Sequence, residues 1–167
     1  MRAAVDKERF GPWALVTGAS SGIGKEFARQ IAAAGINVVL VARREALLQE
    51  VGRSIAADFK VDYRALAMDL SQEGFLERLT RDTNDLDIGL VVSNAGTGNP
   101  GEFLKLDRQL LQKTLRLSTM AHLDIAHYFG AVPLEAFPAV ALGGLRLNSE
   151  RVVIGVTVSA ADLSLPP

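Results

Sequence analysis

The segment Trp13 to Val16 reads as a short β-strand, and it runs without a break into Thr17-Gly18-Ala19-Ser20-Ser21-Gly22-Ile23-Gly24, where helical spacing begins at once. Few folds admit a strand that turns through three glycines into a helix, because each glycine answers a separate steric demand. Gly18 permits the tight turn off the strand, Gly22 lets backbone approach a bound pyrophosphate, and Gly24 lets the helix lie close to the sheet. The first turn of that helix then presents unpaired N–H groups and the positive end of its dipole to an anion. Thr17, Ser20, Ser21 and Ile23 complete the loop as candidate binding residues. The spacing G-x-x-x-G-x-G differs from the more common dinucleotide fingerprint G-x-G-x-x-G.

The rest of the chain decides whether this loop is a plain turn or a binding site. After the helix from Gly22 to Ala34, closed by Gly35, strand-like runs at Asn37 to Val41, Tyr63 to Ala67 and Gly89 to Ser93 alternate with helical patterns at Glu45 to about Ala57 and Gln72 to about Asp82. The runs are apolar nearly throughout, as strands buried on both faces are. The alternation predicts an α/β fold, a Rossmann-like doubly wound parallel sheet with helices on both faces. Asp107 is placed to cap a long helix reaching about Phe129, with Leu106 and Leu111 spaced for a hydrophobic staple. From Gly130 to Asn148 the period is lost, and Val152 to Val158 offers one more strand.

Composition narrows the partners. With 167 residues, 49% apolar and 22% charged, the chain suits one soluble domain. Its 18 basic and 19 acidic residues are mixed along the sequence, so no field exists to hold a nucleic acid. The absence of cysteine excludes thiolate metal sites and cysteine nucleophiles and fits a reducing compartment, so a cytoplasmic location is expected. No signal-peptide pattern opens the chain, and the apolar stretch from Phe129 to Gly144, broken by Pro133, Glu135 and Pro138, predicts no membrane span. His122 and His127, five apart, fall on different helix faces, which argues against a shared metal and leaves them as packing or solvent-facing residues.

The end of the second strand bears on which dinucleotide is bound. NAD-selective sites carry an acid there, about 20 residues past the glycines, to bond the ribose 2′-hydroxyl. This chain has Ala42, followed by Arg43 and Arg44. Guanidinium groups beside a small residue can pair with a 2′-phosphate that a carboxylate would repel. NADP(H) is therefore expected in preference to NAD(H), with Arg43 the first candidate and Ser20 a second contact.

Together, Thr17 to Gly24, Arg43-Arg44 after strand two, Asp69-Leu70 after strand three and Ser93-Asn94-Ala95-Gly96 after strand four resemble the short-chain dehydrogenase/reductase family, from about Gly11 to Phe129. The resemblance implies that Asp69 bonds the adenine amino group and that Leu70 packs on the adenine face. It further implies that Asn94, Ala95 and Gly96 line the adenosine ribose and stabilise the central strands. The family reaction is NADP-dependent interconversion of an alcohol and a carbonyl. It uses a Tyr-x-x-x-Lys pair, a serine closing strand five and an asparagine in the long helix. Tyrosine serves as acid or base once a neighbouring ammonium brings its pKa down from about 10.

The chain departs from that pattern. Four residues after Tyr63 stands Ala67, four after Tyr128 stands Val132, and no lysine follows Lys113. Ser118 stands at the asparagine position, and Ser159 fits the strand-five serine. The reading is a single incomplete NAD(P)-binding domain over 1–167, family-like over 1–129 and divergent over 130–167, with later strands and helices missing. It is expected to bind the cofactor and to be inactive alone. The alternative is a non-enzymatic interaction protein, or a homo-oligomer, that docks through the helix from Asp107.

Overall fold

The computed structural model describes residues 5–130 and the strand at 152–155. A short helix α1 (Lys7–Phe10) precedes β1 (Trp13–Thr17), α2 (Gly22–Ala33), β2 (Asn37–Ala42), α3 (Glu45–Phe59), β3 (Tyr63–Ala67), α4 (Phe75–Arg81) and β4 (Ile88–Ser93). A 3₁₀ turn (Phe103–Lys105), α5 (Arg108–Leu115), a π-helical turn (Arg116–Met120), α6 (Ala121–Gly130) and β5 (Val152–Gly155) follow. The five strands pair in parallel in the order β3-β2-β1-β4-β5. This is the doubly wound arrangement expected from the alternating runs. The reversal of strand order lies between β1 and β4, and there the carboxyl ends of the strands open a crevice.

Period-two alternation explains why the strands are apolar throughout. Ala14, Val16, Val38, Leu40, Leu90 and Val92 face one layer with Ala28, Ile31, Leu48 and Ile55 of α2 and α3. Leu15, Val39, Val41 and Val91 face the other, with Phe75 and Leu79 of α4 and Leu117, Ala121, Ile125 and Phe129 of the long helix. Each central strand thus buries both faces, as the crossover helices of a parallel sheet provide. β3 is the outer strand on its side and is half-buried along its length. Its Arg64 makes a two-pronged ion pair with Asp85 at 2.6 and 2.8 Å, a charged guard for an exposed sheet edge.

Three boundaries differ from the sequence expectation. α4 begins at Phe75, not Gln72, because residues 69–74 form turns: the Ser71 amide donates to the Asp69 carboxylate, the Gln72 amide to the Asp69 carbonyl, and Gly74 takes a φ of 75°. The helix capped by Asp107, whose carboxylate accepts from the Leu110 amide at 2.9 Å, is interrupted by the π turn. The fifth strand is described over Val152–Gly155; the remainder of the 152–158 run and Ser159 lie outside the described residues.

Candidate functional site

The turn after β1 is built around open space. Gly22 has φ 57°, and a Cβ there would meet no heavy atom within 4 Å. Packing therefore does not demand glycine at this point; a left-handed backbone facing an open crevice does. Gly24 shows the opposite constraint, since a Cβ would overlap the Gly18 carbonyl and stand 2.6 Å from Asn94 Nδ2. Ser21 caps α2 without a side-chain bond to the first-turn amides, so those donors stay directed at the crevice. A cradle with free donors, a positive dipole end and no side chain in the way fits a phosphate group.

Thr17 ties this turn to its neighbour. Its hydroxyl, in a fully buried side chain, accepts from the Asn94 and Ala95 amides at 2.9 Å each, and the Asn94 side-chain amide donates to the Thr17 carbonyl at 3.1 Å. Asn94 thus braces the ends of β1 and β4 across the sheet, while the exposed Gly96 continues the loop toward Ser118.

The arginines after β2 part company. Arg44 turns back over the glycine loop and donates through Nη2 to Ser20 Oγ at 3.1 Å and Ser21 Oγ at 2.9 Å. Arg43, the first candidate from sequence, is exposed like Arg44 but lines a separate open cavity of about 380 Å³ with Asp69, Gln72, Glu73, Phe75 and Arg78. Both arginines follow the carboxyl end of β2, but Arg44 is the one joined to the glycine loop.

Asp69 is held as an anion. Burial acts against ionisation, yet the Ser71 hydroxyl at 2.6 Å, the Ser71 amide at 3.0 Å and the Lys113 ammonium at 3.1 Å outweigh it and bring the carboxyl pKa down to about 2. An ionised carboxylate only accepts hydrogen bonds, so Asp69 suits an amino-group partner. Leu70, expected to pack on an adenine face, is 4% exposed within the second apolar layer.

His122 carries more structure than its sequence position suggested. Nε2 lies 2.9 Å from the Ala95 carbonyl, which can only accept, so the proton sits on Nε2 and the Ser93 hydroxyl donates to Nδ1 at 2.8 Å. A serine and a histidine at this distance invite a nucleophile reading, but Ser93 is 2% exposed and its partner nitrogen has its ring locked to backbone. Ser118 hydrogen-bonds both the amide and the carbonyl of Thr97. Sequence reasoning missed Lys113 and His122 as site neighbours. A polar stripe at Thr114, Ser118 and His122, four residues apart, was the available signal.

Both tyrosines are engaged elsewhere, and neither is followed four residues on by a lysine. Tyr63 opens β3 at its amino end, and its hydroxyl donates to Gln49 Oε1 at 3.1 Å. Tyr128 is exposed, its ring edge-on to Phe129. Among the described residues no group of three or more His, Asp or Glu side chains could hold a metal ion, and no helix is long and apolar enough to cross a membrane.

Residues 12–130 match the short chain dehydrogenase family. The chain belongs to that family. Its sequence is 40% identical over 119 residues to a very-long-chain 3-oxoacyl-CoA reductase of Meyerozyma guilliermondii, covering 69% of this chain and 35% of that enzyme. Its fold matches a bulky-bulky ketone specific alcohol dehydrogenase from Comamonas testosteroni with a TM-score of 0.69 at 34% identity, over 72% of this chain and 49% of the other. It also matches a short-chain dehydrogenase from Sphingobium yanoikuyae in complex with NADPH, with a TM-score of 0.66 at 31% identity, over 70% and 46% of the two chains. The chain spans half or less of the length of these relatives.

Proposed function

We propose that this short-chain dehydrogenase chain binds NADP(H), in preference to NAD(H), across the crevice between β1 and β4, and that it supplies the cofactor half of an alcohol–carbonyl oxidoreductase. The observation that carries the reading is Arg44 anchored on Ser20 and Ser21 of the glycine loop, beside Ala42 where an NAD-selective site would carry an acid. The backbone of Gly18 to Gly24 and the first turn of α2 receive the pyrophosphate. Arg44, joined by Arg43 from the neighbouring cavity, pairs with the 2′-phosphate. Asp69 accepts from the adenine amino group, and Asn94, Ala95 and Gly96 line the ribose. The NADPH complex of the Sphingobium yanoikuyae relative supports the cofactor class.

When bound, the nicotinamide supplies the hydride acceptor or donor. The 167 residues contain no Tyr-x-x-x-Lys pair to act beside it, so the chain is expected to bind cofactor without turning over substrate by itself. Ser118 and Ser159 are the remaining candidates for the substrate side.

Replacing Arg44 with Ala tests the carrying observation. Loss of a charge-assisted pair to phosphate is expected to weaken NADPH binding about tenfold or more while NADH affinity changes little. Arg43→Ala is expected to have the smaller effect. Equal losses for the two cofactors would remove the 2′-phosphate assignment.

A second reading draws on the long helix, where Leu110, Leu115, Met120, Leu123 and Tyr128 are 42–61% exposed. It makes the chain a docking protein. Gly22→Val separates the two readings: it abolishes dinucleotide binding under the first and leaves protein association intact under the second.

A further inference from the structure

The segment that leaves β4 runs beside the long helix, and three side chains of that helix hold it at regular intervals. Thr114 accepts from the side-chain amide of Asn99 while its own hydroxyl donates to the Leu110 carbonyl at 3.0 Å. One step on, Ser118 accepts from the Thr97 amide and donates to the Thr97 carbonyl, both at 3.3 Å. At the next, His122 donates to the Ala95 carbonyl and accepts from Ser93. The helix positions advance by four while the loop positions retreat by two, so the two segments run in opposite directions and are joined rung by rung. The Thr97 amide and carbonyl fix both roles of the Ser118 hydroxyl, and the Ala95 carbonyl fixes His122 Nε2 as a donor.

The π turn at Arg116–Met120 is what brings the three side chains into line. In an uninterrupted α-helix, eight residues overshoot two full turns by about 80°. A turn closed by an i to i+5 bond, as the Ala121 amide makes to the Arg116 carbonyl, takes in one extra residue. The spacing from Thr114 to His122 then behaves as about seven residues, within about 20° of two turns. Leu117, Ala121, Ile125 and Phe129 pack toward the sheet, and the polar stripe lies one residue over, facing the loop.

We infer that Thr114, Ser118 and His122 are positioning residues that hold the 93–99 loop in the geometry in which Asn94, Ala95 and Gly96 meet the dinucleotide. This rests on the cofactor reading above and adds to it the device that sets the loop. A chain with a rung removed samples the competent loop less often, and apparent affinity falls in proportion to that fraction.

The test pairs cofactor affinity with a measurement that needs no cofactor. NADPH affinity, the unfolding midpoint of the unliganded chain and amide hydrogen exchange at Thr97 are compared for wild type, Ser118→Ala and His122→Phe, with Ser118→Thr and His122→Gln as conservative partners that keep the donor and acceptor. Each disruptive variant is expected to weaken NADPH about tenfold, and Ser118→Ala to speed Thr97 exchange by about the same factor, with the midpoint within about 3 °C of wild type. The conservative variants are expected to recover most of the affinity. Disruptive variants that bind NADPH as wild type does overturn the ladder and leave the cofactor reading standing. A folded wild-type chain that binds no NADPH overturns the cofactor reading itself. A loss of affinity that follows a fall in midpoint and is not recovered by the conservative variants also overturns the inference, because it marks the stripe as packing alone.

Discussion

At the scale of single residues, the site is governed by which groups are already satisfied. Arg44 donates to two serine hydroxyls that can exchange those bonds for a phosphate oxygen without unfolding anything. Asp69 is more firmly held, and its titration gives a direct check. Its carboxyl stands at about 2 in the folded chain against an ordinary 3.8, so the stability it contributes is complete above the ordinary value and lost as the pH falls through about 2. Asp69→Asn is therefore expected to lower the unfolding midpoint near neutral pH, and the gap from wild type is expected to close as the pH falls from about 5 to about 2. A gap that stays constant over that range would show that Asp69 acts through packing and not through its charge. The loop motif, the arginine pair and Asp69 were all legible in the sequence because each follows directly from a strand end. The sequence reading puts Arg43 first, whereas Arg44 is the one bonded to the glycine loop, since that depends on the hydroxyls of Ser20 and Ser21 lying opposite.

At the scale of elements, strand identities were readable because period-two burial on both faces leaves an unbroken apolar run, and every strand end among the first four falls within a residue or two of expectation. Helix details were less readable. The start of α4 depends on a turn chemistry centred on Asp69 and Ser71, and the π turn rests on a backbone bond from the Ala121 amide to the Arg116 carbonyl that no single side chain announces. The contact of α3 with β3 offers a test of the packing. Gly52 is buried, and a Cβ there would overlap the ring of Tyr63, whose hydroxyl in turn bonds Gln49. Gly52→Ala is expected to destabilise the chain by about 1–3 kcal/mol through overpacking, read as a lower urea midpoint at unchanged slope. An unchanged midpoint would mean that helix and edge strand are not in close contact. Ile125, fully buried in the second layer, should show the reverse defect: Ile125→Ala leaves a cavity and is expected to lose about 2–5 kcal/mol in the same measurement.

At the scale of the whole molecule, the parallel sheet, the reversal of strand order between β1 and β4 and the family membership agree, and together they support the proposal that this chain carries a dinucleotide-binding half. The catalytic half is a different matter. The tyrosine–lysine pair is missing from these 167 residues, and the serine proposed for strand five lies outside the described residues. For the whole chain the proposal is cofactor binding with a preference set by the 2′-phosphate. A parallel titration of the purified chain with NADPH and NADH tests it most directly, following nicotinamide fluorescence and the unfolding midpoint, because a ligand that binds only the native state must raise that midpoint. Saturable NADPH binding with a midpoint that climbs with concentration, and NADH binding at least about tenfold weaker, is the expected result. A folded chain whose fluorescence and midpoint respond to neither cofactor, or respond equally to both, would contradict it.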